Sequence, residues 1–179
     1  MRVEKVMEYD LKDEMRLELQ QLLVECFSDD YPKDRYYFKQ LPHFRFIVFN
    51  DNSQLVGHVG LDYRVMNLNG EPTKVLGVID LCVAKNDRSK GIGSLLLAKI
   101  DLFCKHKAVD FILLFADNKN LYLKAGFKPV RNRCKWLKID DENQKIYGIG
   151  HEKIEGLMIK EVGNRKWQAG ELDLLGYLY

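Results

Sequence analysis

The pair Asn69-Gly70 stands between two long runs rich in β-branched and aromatic residues, QLVGHVGLDYRVMNL before it and PTKVLGVIDLCVA one residue after it. Runs joined in this way read as a β-hairpin, because the tight turn needs positive φ at both central positions and Asn and Gly adopt that conformation at least cost. A third run, FRFIVFN, precedes them across a DNS segment. The middle of the chain is therefore expected to form three consecutive antiparallel strands. Within residues 11–27 the apolar positions Met15, Leu19, Leu22, Leu23 and Cys26 recur at steps of three and four. That is the stripe of an amphipathic helix with a flat surface to pack on.

After the meander the pattern changes period. A helix is expected over 92–107, then a strand at DFILLFA, a short helix around KNLYLKA ended by Gly126, and a strand over 127–138. The runs GLMIKEV and LDLLGYLY in the tail predict one or two closing strands. A meander thus leads into a β-α-β-α-β half. No repeat, low-complexity tract or Pro/Gly-rich linker divides the chain, so residues 1–179 are expected to be one domain. At 46% hydrophobic residues, a core without disulfide or metal staples is feasible.

Charge excludes several partners. With 28 Lys plus Arg against 26 Asp plus Glu, the net charge of +2 supplies no field that would draw the chain to nucleic acid or an anionic membrane. Arg131, Arg133, Lys135 and Lys138 fall near strand period and read as a wet sheet face. No stretch approaches the roughly 20 apolar residues of a membrane span, and the first residues lack the apolar core of a signal peptide. The four cysteines, at 26, 82, 104 and 134, are too dispersed for a zinc site and read as reduced thilols of a cytoplasmic protein. His58 alternates within a strand with no second histidine at ligand spacing, so no metal is expected.

Chemistry enters where the strand ending at Val83 feeds the loop KNDRSKG and then a helix. The first turn of a helix carries unpaired N–H groups and the positive end of its dipole. Gly91 and Gly93 let a ligand approach the backbone, and Arg88 and Lys90 add charge, so the stretch suits a pyrophosphate. On these residues alone an ordinary loop-to-helix turn stays open. The G-x-x-x-x-G-K-[ST] and three-glycine dinucleotide patterns are both absent.

The segment V-A-K-N-D-R-S-K-G-I-G-S at 83–94 resembles the acetyl-CoA-binding motif R/Q-x-x-G-x-G/A of the GCN5-related N-acetyltransferase (GNAT) superfamily, with Arg88, Gly91 and Gly93 at its defining positions. N-L-Y-L-K-A-G-F at 120–127 is similar to the family's L-Y-x-K-x-G-F segment, and the resemblance covers about residues 42–138. It implies an α/β fold with a mixed α+β sheet, mostly antiparallel with a splayed parallel strand pair, flanked by helices. It further implies acetyl-CoA as co-substrate, a small amine-bearing acceptor, and direct attack in a ternary complex. Backbone groups of Leu81 and Val83 would hold the pantetheine arm. Arg88, Ser89, Lys90, Gly91, Ile92, Gly93 and Ser94 would hold the pyrophosphate. Asn118 would touch the same region or cap a helix.

In the family pattern Tyr122 matches the acid that protonates the departing thiolate, and Asp80 is the base or an acceptor-binding group. Ile79 stands where the family often has a glutamate. The shortened lead-in before Tyr122 and the ending at 167–177 resemble the branch of aminoglycoside 2′-N-acetyltransferases and nodulation N-acyltransferases. That branch would draw its acceptor pocket from the loop SDDYPKDRYY and the last strands, with Asp29, Asp30, Asp80 and Asp173 attracting a cation. A non-catalytic acyl-CoA sensor and an enzyme for longer acyl chains are the alternatives, and the reading admits a homodimer.

Overall fold

The structure is a computed structural model that describes residues 1–27 and 31–179. The expected meander is present as β2 (Phe44–Phe49), β3 (Leu55–Leu68) and β4 (Glu71–Val83). Asn69 and Gly70 have φ of 54° and 92°, the pair of positive values the hairpin turn requires. The turn is fixed by Asn67, whose Oδ1 accepts from the Gly70 N–H at 2.7 Å.

Before the meander lie β1 (Arg2–Met7) and α1 (Asp13–Phe27), and β1 pairs antiparallel with β2. The charges that alternate along RVEKVM conceal this edge strand from a hydrophobicity reading. After the meander come α2 (Ile92–Cys104), β5 (Phe111–Phe115), α3 (Asn120–Lys124), β6 (Lys128–Pro129), β7 (Arg133–Ile139), β8 (Ile146–Lys153), β9 (Leu157–Glu161) and β10 (Glu171–Tyr177). Among the described residues these ten strands form one sheet in the order β6-β9-β5-β4-β3-β10-β7-β8, with β1 and β2 branching from β3. Two pairings are parallel, β4 with β5 and β10 with β7.

Two expectations are corrected. Helix α2 stops at Cys104 instead of reaching 107, where Lys105 leaves the helical region. The single strand expected over 127–138 is two. Pro129, which has no N–H to donate, ends β6 against β9, and β7 begins four residues later against β10 and β8. Between them Asn132 is buried, donating to the Gln168 carbonyl and accepting from the Trp167 indole N–H, both at 2.9 Å. The two runs of the tail form β9 and β10, the closing strands expected there, and β8 before them is a strand the sequence did not announce. Ile146, Tyr147 and Ile149 of β8 are all exposed, so this strand lacks the buried alternation that marks the others.

Both faces of the central strands are covered, which is why β2 is buried at every position. Helix α2 buries Ile92, Leu96, Leu97, Ile100 and Cys104 on one face, against Phe44, Phe46, Val48, Val59 and Leu61. Burial of this kind stabilises by roughly 1.5–3 kcal/mol per large side chain. On the opposite face α1 packs Leu19 over Ile47 and Phe49, and Leu22 and Leu23 beside Tyr31 and Cys82. The α1 face also carries buried polar groups, among them Glu8, Arg45 and His58.

Candidate active site

Strands β4 and β5 are bonded only where Val75, Leu76 and Gly77 meet Phe111, Ile112 and Leu113. Beyond that point β4 runs on to Val83 while β5 stays with β9 as far as Phe115. The two strands therefore part. A bulge in β4 helps to drive them apart: His58 faces Cys82 and Gly60 faces Ile79, so Val59 opposes both Asp80 and Leu81. Asp80 takes φ of +50°, a left-handed conformation that Asp tolerates better than most residues.

The parting leaves a cleft of about 340 Å³, whose walls include Phe27, Asp80, Leu81, Phe115, Asn118 and Tyr122. Tyr179 closes part of it and packs directly on Gly77, where any side chain would collide with its ring. A larger cavity of about 550 Å³ between Lys119, Arg131 and Gly156 contains none of the candidate residues.

The edge of β4 that faces the cleft is polar. The Ala84 N–H donates back to Val56 on β3 at 2.9 Å. By antiparallel alternation Val83, and Leu81 two residues before it, turn their N–H and C=O groups the other way. The Val83 carbonyl is already engaged, by Arg88 Nε at 3.1 Å and Cys26 Sγ at 3.4 Å. Its N–H is the group left for a ligand.

The loop that follows makes a 3₁₀ turn at Lys85–Asp87 and enters α2 through Gly91, whose φ of 82° is left-handed. No side chain caps this helix. Its first intrahelical bond runs from Leu95 N–H to Gly91 O at 2.9 Å, so the amides of Ile92, Gly93 and Ser94 have no partner within the helix. A Cβ on Gly91 would meet nothing within 4 Å, so the space in front of the turn is open. Ser89 is also left-handed, with φ of 64°. Lys90 pairs with Asp87 at 2.8 Å, and Arg88 and Lys90 are both exposed. The turn abuts the cleft, since a Cβ on Gly93 would lie 3.0 Å from Leu121 and 3.9 Å from Leu81.

Tyr122 is half-buried on α3, edge-on to Phe127 with centroids 5.8 Å apart. Burial, reinforced by the nearby Cys82, raises its pKa above the ordinary phenol value, so it stays protonated. Asp80 lies on the same cleft, with Oδ2 accepting from the Tyr31 hydroxyl at 3.0 Å. Burial pushes the Asp80 carboxyl upward, and the Tyr31 hydrogen bond together with the Arg45 charge pulls the other way. Asn118 lines the cleft and also takes the Asn120 N–H at 3.2 Å, as a cap to α3. The sequence-derived set is thus brought together along one wall, from Ser94 back to Asp80, with Tyr122 and Asn118 on adjoining ground.

Other residues are not. Asp173 pairs with Lys135 at 3.0 Å on β10 and does not line the cleft. Asp29 and Asp30 lie outside the described residues. Two residues escaped the sequence reading. Tyr31 was visible only as part of a loop. Arg45 was legible as a lone charge in FRFIVF, the kind of interruption a strand buried on both faces admits only with a partner. Among the described residues no three His, Cys, Asp or Glu side chains converge as metal ligands, and no helix is long and apolar enough to cross a membrane.

Comparison with known proteins gives a consistent result. No curated protein sequence matches the chain. A GCN5-related N-acetyltransferase from Anabaena variabilis superposes with a TM-score of 0.62 at 16% identity over 75% of this chain and 34% of its own, so this chain spans about a third of that protein. A GNAT family N-acetyltransferase from Escherichia coli in complex with CoA gives 0.61 at 14% identity, covering 97% of this chain and 89% of that one. A GNAT family acetyltransferase from Brucella melitensis in complex with acetyl-CoA gives 0.60 at 12% identity, covering 96% and 94%. At such identities the likeness shows the fold alone and singles out no branch. The family model of the acetyltransferase (GNAT) domain matches residues 10–130, well over half of the sequence. With its strands parted at β4 and β5 and its glycine turn leading into α2, this protein belongs to the GNAT acetyltransferase family.

Proposed function

We propose that the chain is a single acetyltransferase domain, which moves the acetyl group of acetyl-CoA to an amine by direct attack while both substrates are bound. The observation that carries this reading is the cleft itself: Asp80 and Tyr122 line it, and the uncapped amides of α2 lie against its Leu81 wall. The free amides at 92–94, with Arg88 and Lys90 beside them, would receive the pyrophosphate. The Leu81 and Val83 edge would pair with the pantetheine as a strand pairs with its neighbour. A backbone N–H aimed at the thioester oxygen would then stabilise the tetrahedral oxyanion, an effect typically worth about 3 kcal/mol per donor.

Tyr122, held protonated by its surroundings, would donate to the thiolate as it leaves. Asp80 would hold the acceptor's ammonium or take its proton, directly or through water. The acceptor itself is proposed only as an amine on a small molecule or peptide. A second reading, an acyl-CoA sensor without turnover, draws on Ile79 in place of the family glutamate and on the Asp80 carboxylate already engaged by Tyr31.

The test is release of free CoA from acetyl-CoA, and from longer acyl-CoAs, with a panel of aminoglycosides, polyamines and peptide N-termini. An enzyme releases CoA only with an acceptor, and Tyr122→Phe lowers kcat by about 10²-fold with little change in CoA binding. CoA binding without release on any acceptor would support the sensor.

A further inference from the structure

Behind Asp80 runs a chain of buried polar groups that acetyl transfer as proposed above does not use. Arg45, on β2, is 1% exposed, and Glu8 and His58 are 6% and 0% exposed. Glu8 grips the guanidinium with both oxygens, Nε to Oε2 at 2.7 Å and Nη2 to Oε1 at 2.9 Å. The Tyr36 carbonyl takes a further Nη2 bond at 3.2 Å. Arg45 Nη1 lies 2.8 Å from His58 Nε2, and His58 Nδ1 lies 3.1 Å from the Asp80 carbonyl oxygen.

These contacts fix the proton. A guanidinium only donates, so His58 Nε2 must be the acceptor and the imidazole proton must sit on Nδ1. That proton points at the Asp80 carbonyl, which only accepts. Burial and the adjacent Arg45 charge both disfavour the imidazolium, in agreement with a neutral ring. Each link has one assignable direction: Arg45 donates both to Glu8 and to His58, and His58 donates in turn to the carbonyl at the bulge.

We propose that Glu8, Arg45 and His58 are positioning residues, which clamp the Asp80 carbonyl so that the bulge holds its left-handed turn and aims the Asp80 carboxylate into the cleft. Stability alone is a weak reason for such a chain, because a buried ion pair is often no better than apolar residues of the same volume. Its end point has a use, since a bulge residue in a sparsely populated conformation keeps it only when its surroundings over-determine it, at a cost of roughly 1–3 kcal/mol. Tyr31 pins the side chain of Asp80 and His58 pins the main chain.

The inference rests on the role proposed for Asp80, so the experiment has one arm that does not need turnover. Nitrogen-15 spectra of the histidines in the free wild-type protein at neutral pH should show His58 as the neutral Nδ1–H tautomer. An Nε2–H tautomer or an imidazolium overturns the relay, whatever the protein catalyses. The second arm compares two substitutions. His58→Asn keeps a donor near the Nδ1 position and gives up the acceptor for Arg45, whereas His58→Gln keeps the acceptor and gives up the donor. Positioning predicts that Gln lowers kcat by about 10²-fold with KM for acetyl-CoA little changed, and that Asn restores most of that loss even if it melts lower. Equal losses that follow thermal stability would reduce His58 to a structural residue and overturn the proposal. Failure of every acceptor to react, with the expected tautomer present, would count against the transferase reading and not against the relay.

Discussion

At the scale of single residues, Asp80 carries the sharpest consequence. Burial holds its carboxyl above the ordinary 3.8, so the folded chain binds this proton more tightly than the unfolded chain does. Stability is then greatest below the unfolded value and declines as pH rises through the folded one. Asp80→Asn removes that loss. The variant is expected to melt above the wild type at neutral pH, and the gap should close as pH falls toward 3.8. Melting curves across that range check the sign, and a wild type more stable than the variant at neutral pH would refute it. The sequence offered Asp80 as the sole carboxylate in an apolar strand, but strand parity left its direction open. Only the bulge opposite Val59 settles the matter: the extra residue resets the alternation and lets Asp80 meet Tyr31. An inserted residue leaves no hydrophobic signature, which is why this was not legible beforehand.

Among the elements, the turn into α2 was the most legible, because glycine at 91 and 93 and the absence of a side-chain cap are matters of residue type. Gly91 has φ of 82° with open space beyond it. Gly91→Leu should therefore cost about 1–2 kcal/mol of backbone strain and leave the core intact, while a side chain projecting into the anion site should weaken CoA binding by about tenfold or more. Calorimetric titration beside a melting curve separates the two effects. Unchanged CoA affinity would remove the turn from the binding site. The strands between α3 and the closing pair were read less well, for reasons visible in their residues. Pro129 divides what looks like one strand, and β8 shows no buried alternation because it is the outermost strand of the sheet. Pairings between distant segments, such as β10 with both β3 and β7, depend on contacts that no local pattern encodes.

Across the whole molecule, the two faces of the sheet divide the work. The α2 face is an apolar core that fixes the helix start against β3, closely enough that a Cβ on Gly57 would lie 2.8 Å from Ile92. The α1 face holds the polar chain from Glu8 to Asp80 and the aromatic residues around Tyr31. The cleft opens where β4 leaves β5 and has access to both. This arrangement makes one global demand, that the CoA ligand bridge from the amides of α2 to the β4 edge. A crystal structure of the CoA complex tests it most directly. The account predicts the pyrophosphate on the amides at 92–94, and the pantetheine paired with Leu81 and Val83 and ending between Asp80 and Tyr122. CoA seated elsewhere, with that turn empty and the cleft between β4 and β5 unfilled, would contradict it.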